Sequence, residues 1–179
     1  YQMLMTSVER FAEHPCFGFI PEKGMPRVHM TYREFGELAT SVGKQLRDVG
    51  VEAGDRVAMI LNNSVEWAAI SYGANAIGAA YTAMYTHQHG SEWAFILDDS
   101  TPSMIAVSDT EVLDKLVENM PADAAKWPKC GTLLLGNEPA NQLPPEGVQV
   151  HDWTSFVANG RASEAAIEIA DDPFALNTL

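Results

Sequence analysis

The sequence predicts an α/β fold, a mainly parallel sheet flanked by helices. Three observations predict it. Apolar runs of strand length at 56–61, 79–84 and 104–107 are nearly continuous rather than alternating, as expected of parallel strands covered on both faces. Helix-length segments with apolar residues three and four apart lie between and around them. Strand and helix signals alternate through the centre of the chain, which implies right-handed crossovers. A chain of 179 residues suits one domain or one large piece of a bigger one, and at that size it buries roughly 70% of the surface its unfolded form exposes.

Taken in order, Met3 to Ala12 reads as an N-terminal helix leading into a short apolar strand, Phe17 to Ile20, with Pro21, Gly24 and Pro26 punctuating a turn. Arg27 to Tyr32 alternates enough to pair back as a hairpin. Thr31-Tyr32-Arg33-Glu34 follows the capping-box pattern, in which the threonine oxygen takes the N–H three residues on while the glutamate reaches back to the N–H of the cap. The helix that starts there carries Phe35, Leu38, Ala39, Val42, Leu46 and Val49 on one face, and Gly50 supplies the left-handed residue that ends it. Gly54-Asp55 marks a turn into the strand Arg56 to Leu61, which should be central. Asn63 or Ser64 caps a helix from Val65 to Ile77, so rich in alanine and large apolar side chains that most of its circumference is expected to be buried.

Gly78 ends that helix and Ala79 to Met84 supplies the next strand. Thr86 to Gly90 connects it to a helix, Ser91 to Leu97, and then to the strand Met104 to Val107. Asp109 caps a helix from Val112 to Met120, which Pro121 terminates. Thr132 to Leu135 reads as a strand. Gly136 to Gly147 holds three prolines and few apolar residues and is read as an irregular excursion. A short strand, Val148 to Val150, a helix from Trp153 to Asn159 and an ambiguous link from Ala162 to Glu168 complete the series.

The formal charge of -13 would repel a phosphate backbone and argues against nucleic acid as a partner. The acidic residues are scattered (Glu9, Glu34, Glu37, Asp55, Asp98, Asp99, Glu118) and read as solvated faces. Cys16 and Cys130 match no CxxC pattern, which favours a reduced, cytoplasmic protein without a disulfide or metal site. No signal-peptide core and no apolar run of the ~18 residues needed for a membrane span is present. Asn62-Asn63-Ser64 satisfies the glycosylation triplet but is read as a strand-to-helix turn. Tyr1 and Leu179 look like cuts in a longer chain, so a fragment is expected.

Few residues suggest chemistry. His87 and His89 follow a strand, where open α/β sheets place ligands, yet no acidic or cysteine constellation accompanies them, and they are read as solvent-exposed or helix-start residues. Asp98-Asp99-Ser100 lacks the convergence an acid pair needs and is read as loop and cap. Trp67, Tyr72 and Tyr81, like Met59, Met84 and Met104, are assigned to the core. No G-x-S-x-G elbow, G-x-x-x-x-G-K-[ST] loop or G-x-G-x-x-G fingerprint occurs, and the junctions at Leu61-Asn62-Asn63 and Tyr85-Thr86-His87 have no glycine cluster. No catalytic, cofactor-binding or metal-ligating residue is therefore assigned within 1–179.

Four segments in order resemble adenylate-forming acyl-CoA ligases. Met30-Thr31-Tyr32-Arg33-Glu34-Phe35 resembles the family's first core motif, and Gly54-Asp55-Arg56-Val57-Ala58 its G-D-R-V segment. Asn62-Asn63-Ser64-Val65-Glu66-Trp67 resembles its N-S-x-E-[FW] helix start, and Ile77-Gly78-Ala79-Ala80-Tyr81 the second core motif, A-G-A-x-Y. Ile96-Leu97-Asp98-Asp99-Ser100 is similar to the I-L-x-D-S before the following strand. Asp171 to Leu179 resembles the strand leading into the family's Ser/Thr/Gly-rich phosphate loop. The resemblance covers 31–107 well and the rest loosely.

The resemblance implies part of the large N-terminal domain of the acyl-CoA synthetase-like fold: 1–32 a helix and hairpin, 33–135 an α/β core, 136–179 an excursion and lead-in to the phosphate loop. It implies a parent that uses ATP, CoA and Mg2+ to convert a fatty acid to an acyl-adenylate and then an acyl-CoA. In relatives the phosphate loop, the later motifs that hold adenine, ribose and magnesium, and a C-terminal lysine do this work. None has a counterpart in 1–179, so the piece alone should be inactive and bind no nucleotide. Ala83 stands where many relatives place proline, and Tyr85 where amino-acid-activating members often have aspartate, which shifts the expectation toward long-chain fatty-acid ligases without fixing chain length. Peripheral membrane association of the parent and self-association of the piece through exposed apolar surface are both compatible with this. The alternatives are a fatty acyl-AMP ligase, an aryl-CoA ligase, an amino-acid adenylation domain, or a non-catalytic α/β interaction module.

Overall fold

A computed structural model describes residues 1–20, 24–136 and 138–167. The chain opens with helix α1 (Gln2–Phe11) and a two-stranded antiparallel hairpin, β1 (Pro15–Phe19) and β2 (Val28–Thr31). The first long helix, α2 (Tyr32–Asp48), begins at the expected capping box: Thr31 Oγ1 accepts from the Glu34 amide, and Glu34 accepts from the Thr31 amide at 2.7 Å. Gly50 stops it with φ +99°, a conformation costly for any side chain.

Five parallel strands follow with helices between them: β3 (Arg56–Ile60), α3 (Val65–Ala76), β4 (Ala80–Met84), α4 (Gly90–Ser100), β5 (Met104–Val107), α5 (Thr110–Asn119), β6 (Thr132–Leu134), β7 (Val150–Asp152) and α6 (Trp153–Ala162). The spatial order is β4-β3-β5-β6-β7, every neighbouring pair parallel. The sheet and its flanking helices are those the sequence predicts, and β3 is interior, as its unbroken apolar run requires.

Alternate residues of each strand feed two cores. Val57, Met59, Met104, Ala106 and Leu133 face α2, α3 and α6, with Phe35, Val42, Leu46, Ile70 and Phe156 packed on them. Ala58, Ile60, Met84, Ile105 and Val107 face α4 and α5, where Trp93, Leu97, Leu113 and Leu116 cover them. Full burial of each large side chain contributes about 1.5–3 kcal/mol before chain entropy is subtracted. Helices α2 and α3 approach closely because glycines face each other: a Cβ added at Gly43 would lie 2.9 Å from the Gly73 carbonyl oxygen.

Four expectations need correction. Tyr81, assigned to the core, is 40% exposed, because β4 is an edge strand among the described residues, while Trp67 and Tyr72 are half-buried as expected of core neighbours. Asp98, Asp99 and Ser100 are helical rather than loop. Ser100 Oγ donates to the Ile96 carbonyl, Arg56 donates to the Ser100 carbonyl, and Thr101 ends the helix in a left-handed conformation, φ +42°. The strand expected at Val148 to Val150 sits two residues later, since Gly147 (φ +96°) and a bond from the Val148 amide to the Pro145 carbonyl still form a turn. A turn of 3-10 helix, Ala124–Lys126, capped by Asp123, was not anticipated. Glu168 and the lead-in Asp171 to Leu179 lie outside the described residues.

Candidate functional site at the carboxyl edge of the sheet

The connections from β3 to β4 and from β4 to β5 run in opposite directions, so the switch point of this sheet lies between the carboxyl ends of β3 and β5. Open α/β sheets place ligands in the crevice at that point. Here it is bordered by Leu61 to Ser64, Ser108-Asp109 and the loop Tyr85 to His89.

The helix N-termini at this edge could attract phosphate through their free amides and positive dipole ends. At α3, α5 and α6 the capping side chain takes one of those amides. Ser64 accepts from the Trp67 amide at 3.1 Å, Asp109 from the Val112 amide at 2.9 Å and Asp152 from the Ser155 amide at 2.9 Å. That amide, and then the Ser155 hydroxyl, hold the Asp152 carboxyl below its ordinary range, so it stays ionised at neutral pH. The first turns of α3, α4 and α5 add Glu66, Glu92 and Glu111. An incoming phosphate would meet carboxylates where a phosphate cradle presents amides.

The remaining polar groups bond among themselves. Thr86 Oγ1 donates to Asn62 Oδ1 at 3.0 Å, and the Ser108 hydroxyl donates to Asp109 at 2.7 Å. The Tyr85 amide donates to the Gln88 side chain at 2.9 Å, and Trp93 Nε1 donates to the Tyr85 carbonyl at 3.0 Å. Lys115 closes the set, donating to the Gln88 carbonyl while its ammonium sits 4.4 Å from the centre of the buried Trp93 ring. Lys115 is thus engaged in holding this loop. This clamp was not legible in the sequence, because its contacts span eight to 27 residues and no local pattern marks them.

His87 and His89 are exposed, and the His89 amide donates to Glu92 at 3.2 Å, a helix-start role. Among the described residues no group of three or more His, Cys, Asp or Glu converges to hold a metal. Beside the edge a cavity of about 710 Å3 opens between the hairpin, α2, α3 and α6; its charged lining is Glu34, Glu37 and Glu66 against Arg161. Hydrogen bonds from the Thr31 amide and then its hydroxyl hold Glu34 low. The balance of this cavity is as unsuited to a triphosphate as the edge itself. Cys16 and Cys130 are unpaired, and burial pushes both thiols up, away from the thiolate a nucleophile needs. No helix among the described residues is long and apolar enough to cross a membrane. The carboxylates at this edge do not suit the phosphates of a nucleotide.

Fold and edge together define a class: a parallel α/β layer with a packed core on each face of its sheet. The family model described as AMP-binding enzyme matches residues 4–176, and the chain belongs to that family. Long-chain-fatty-acid--CoA ligase FadD13 of Mycobacterium tuberculosis is 37% identical over 171 residues, covering 80% of this chain and 34% of the relative. The chain therefore spans about a third of that relative's length. Among solved structures, the N-terminal domain of FACL13 from Mycobacterium tuberculosis superposes with a TM-score of 0.67 at 24% identity, covering 96% of this chain and 38% of that one. The adenylation domain of a carboxylate reductase from Mycobacterium chelonae superposes with a TM-score of 0.75 at 18% identity, covering 97% and 31%. These two likenesses show the fold.

Proposed function

We propose that this chain is the supporting α/β layer of an ATP-dependent, AMP-forming acid–thiol ligase whose substrate is a fatty acid. The parent joins the acid to AMP with release of pyrophosphate and then passes the acyl group to the thiol of CoA. The observation that carries this reading is the 37% identity to a long-chain fatty-acid ligase across 80% of the chain. The acidic, self-capped carboxyl edge supports a division of labour. Residues 1–32, 33–135 and 136–179 are successive parts of one incomplete N-terminal AMP-binding-type domain, and the groups that grip ATP, magnesium and CoA are not among its described residues. A reducing, cytoplasmic setting suits the two unpaired thiols. Exposed Tyr85 and Phe95, 80% and 75% accessible, favour self-association of the isolated chain.

The test is the complete reading frame that contains this chain, supplied with magnesium, ATP, CoA and fatty acids from six to 20 carbons. Formation of AMP, pyrophosphate and acyl-CoA is expected. A protein that makes neither acyl-adenylate nor acyl-CoA would overturn the reading. A second reading, another adenylate-forming branch, draws on the carboxylate reductase adenylation domain, whose fold is shared at a TM-score of 0.75. Turnover of aryl or amino acids in preference to fatty acids would favour it.

A further inference from the structure

At the end of the sheet opposite the candidate edge, a cavity of about 690 Å3 opens between the last turns of α4 and α5 and the segment 121–129. Its volume lies in the range of small-molecule sites, about 300–1,000 Å3. The walls are chiefly apolar: Leu97 and Ile105 form the buried floor, with Met120 and Trp127 to one side. Trp127 is fixed there because its indole N–H donates to the Pro121 carbonyl at 2.9 Å.

The charges of this cavity run against those of the molecule. In a chain of formal charge -13, its lining carries Lys126 and Lys129 against one carboxylate, Asp98. Lys129 is held by Asp55 at 3.1 Å, whereas the ammonium of the exposed Lys126 has no hydrogen-bond or ion-pair partner among the described residues. Lys126 and Trp127 both line the cavity, so a ligand whose apolar body lies against Trp127 holds its head group in the same cavity as the free ammonium. We propose that this cavity binds an amphipathic monoanion, an apolar body carrying one carboxylate or sulfonate, at a site separate from the carboxyl edge of the sheet. Such a ligand gains from apolar burial and from Lys126 at once. A neutral molecule gains only the first.

The proposal does not depend on the ligase reading, and its test uses the 179-residue chain with 8-anilinonaphthalene-1-sulfonate as the fluorescent probe and decanoate and decanol as competitors. One saturable class of probe sites is expected, displaced by decanoate at concentrations at least fivefold lower than decanol. Lys126→Glu should weaken probe and decanoate at least fivefold, and Lys126→Arg should restore them. Ala94→Trp, which fills the cavity from α4, should weaken binding at least tenfold; Ala125→Trp fills it from the exposed wall should the first variant fail to fold. Equal competition by decanol and decanoate, the absence of saturation, or affinity unchanged by Lys126→Glu and the filling variants would overturn the proposal. In the last case the dye sits on another apolar surface, such as that around Tyr85 and Phe95.

Discussion

Replacing Lys115 by methionine tests whether the loop at the carboxyl end of β4 is held by its clamp. Methionine keeps much of the aliphatic stem, so the loss is concentrated in the ammonium. That group lies 4.4 Å from the Trp93 ring centre, a contact worth about 0.5–1 kcal/mol when exposed and about 2 when desolvated. Trp93 is fully buried and Lys115 half-buried, which places this contact between those limits. The same ammonium donates to the Gln88 carbonyl, and a charged hydrogen bond is worth about 1.5–3 kcal/mol. Gln88 is only half-buried, so water replaces part of that bond and the lower end applies. The two contributions add to a loss of about 2–3.5 kcal/mol, around a hundredfold shift in the folding equilibrium at its middle. Urea denaturation reads the global loss, and amide hydrogen exchange at His87 to His89 reads loosening of the loop. Lys115→Arg, which keeps the charge over the ring, should cost less than about 0.5 kcal/mol. A methionine variant as stable as the parent, or an arginine variant as damaged as the methionine one, would refute the reasoning.

Gly43→Ala gains about 1 kcal/mol in helix propensity but drives a Cβ toward the Gly73 carbonyl, so it should prove less stable than Gly36→Ala, whose new Cβ meets only the Val8 side chain. Matching or reversed urea midpoints would show that α2 and α3 are not tightly apposed. The Thr132 hydroxyl is fully buried and has no partner among the described residues, so Thr132→Val should leave stability unchanged or raise it by about 1–3 kcal/mol. A loss in thermal denaturation would mean that the hydroxyl is bonded. Burial raises the Asp55 carboxyl, but bonds from the Glu52 amide, the Ser103 hydroxyl and Lys129 outweigh it and hold the group low. A carboxyl lowered on folding contributes stability in full above its unfolded pKa, about 3.9, and loses it as the pH falls through the native value. The gap in urea midpoint between the parent and Asp55→Asn should therefore be full at pH 6 and shrink below about pH 4. The same gap at pH 3 would contradict this.

The sheet was legible wherever signals were local. Thr31 and Glu34 announce their helix because both partners of the cap lie within one turn, and 56–60 announces a doubly covered strand because both faces are apolar. What escaped depends on distant partners. Nothing within Ala80–Met84 says that the strand stands at an edge, so Tyr81 was misassigned. The extension of α4 through two aspartates relies on Arg56, 44 residues earlier, and its stop on a threonine in a conformation that glycine usually marks. At the candidate site, the absence of glycine-rich junctions and the cap at Asp109 were visible in the sequence, whereas the cap at Asp152 and the Lys115 clamp needed coordinates. The caps at Asp109 and Asp152 follow the same short-range rule as Thr31 and show that sequence signals for helix starts also carry information about which amides remain free for a ligand.

Isothermal titration of the 179-residue chain with ATP and magnesium bears most directly on the claim that these residues support rather than grip the nucleotide. A carboxyl edge with capping side chains on α3, α5 and α6 and with Glu66, Glu92 and Glu111 in its first helical turns should give no saturable heat at micromolar to low millimolar ATP. Micromolar binding, abolished by a substitution at that edge such as Asn62→Ala, would contradict it.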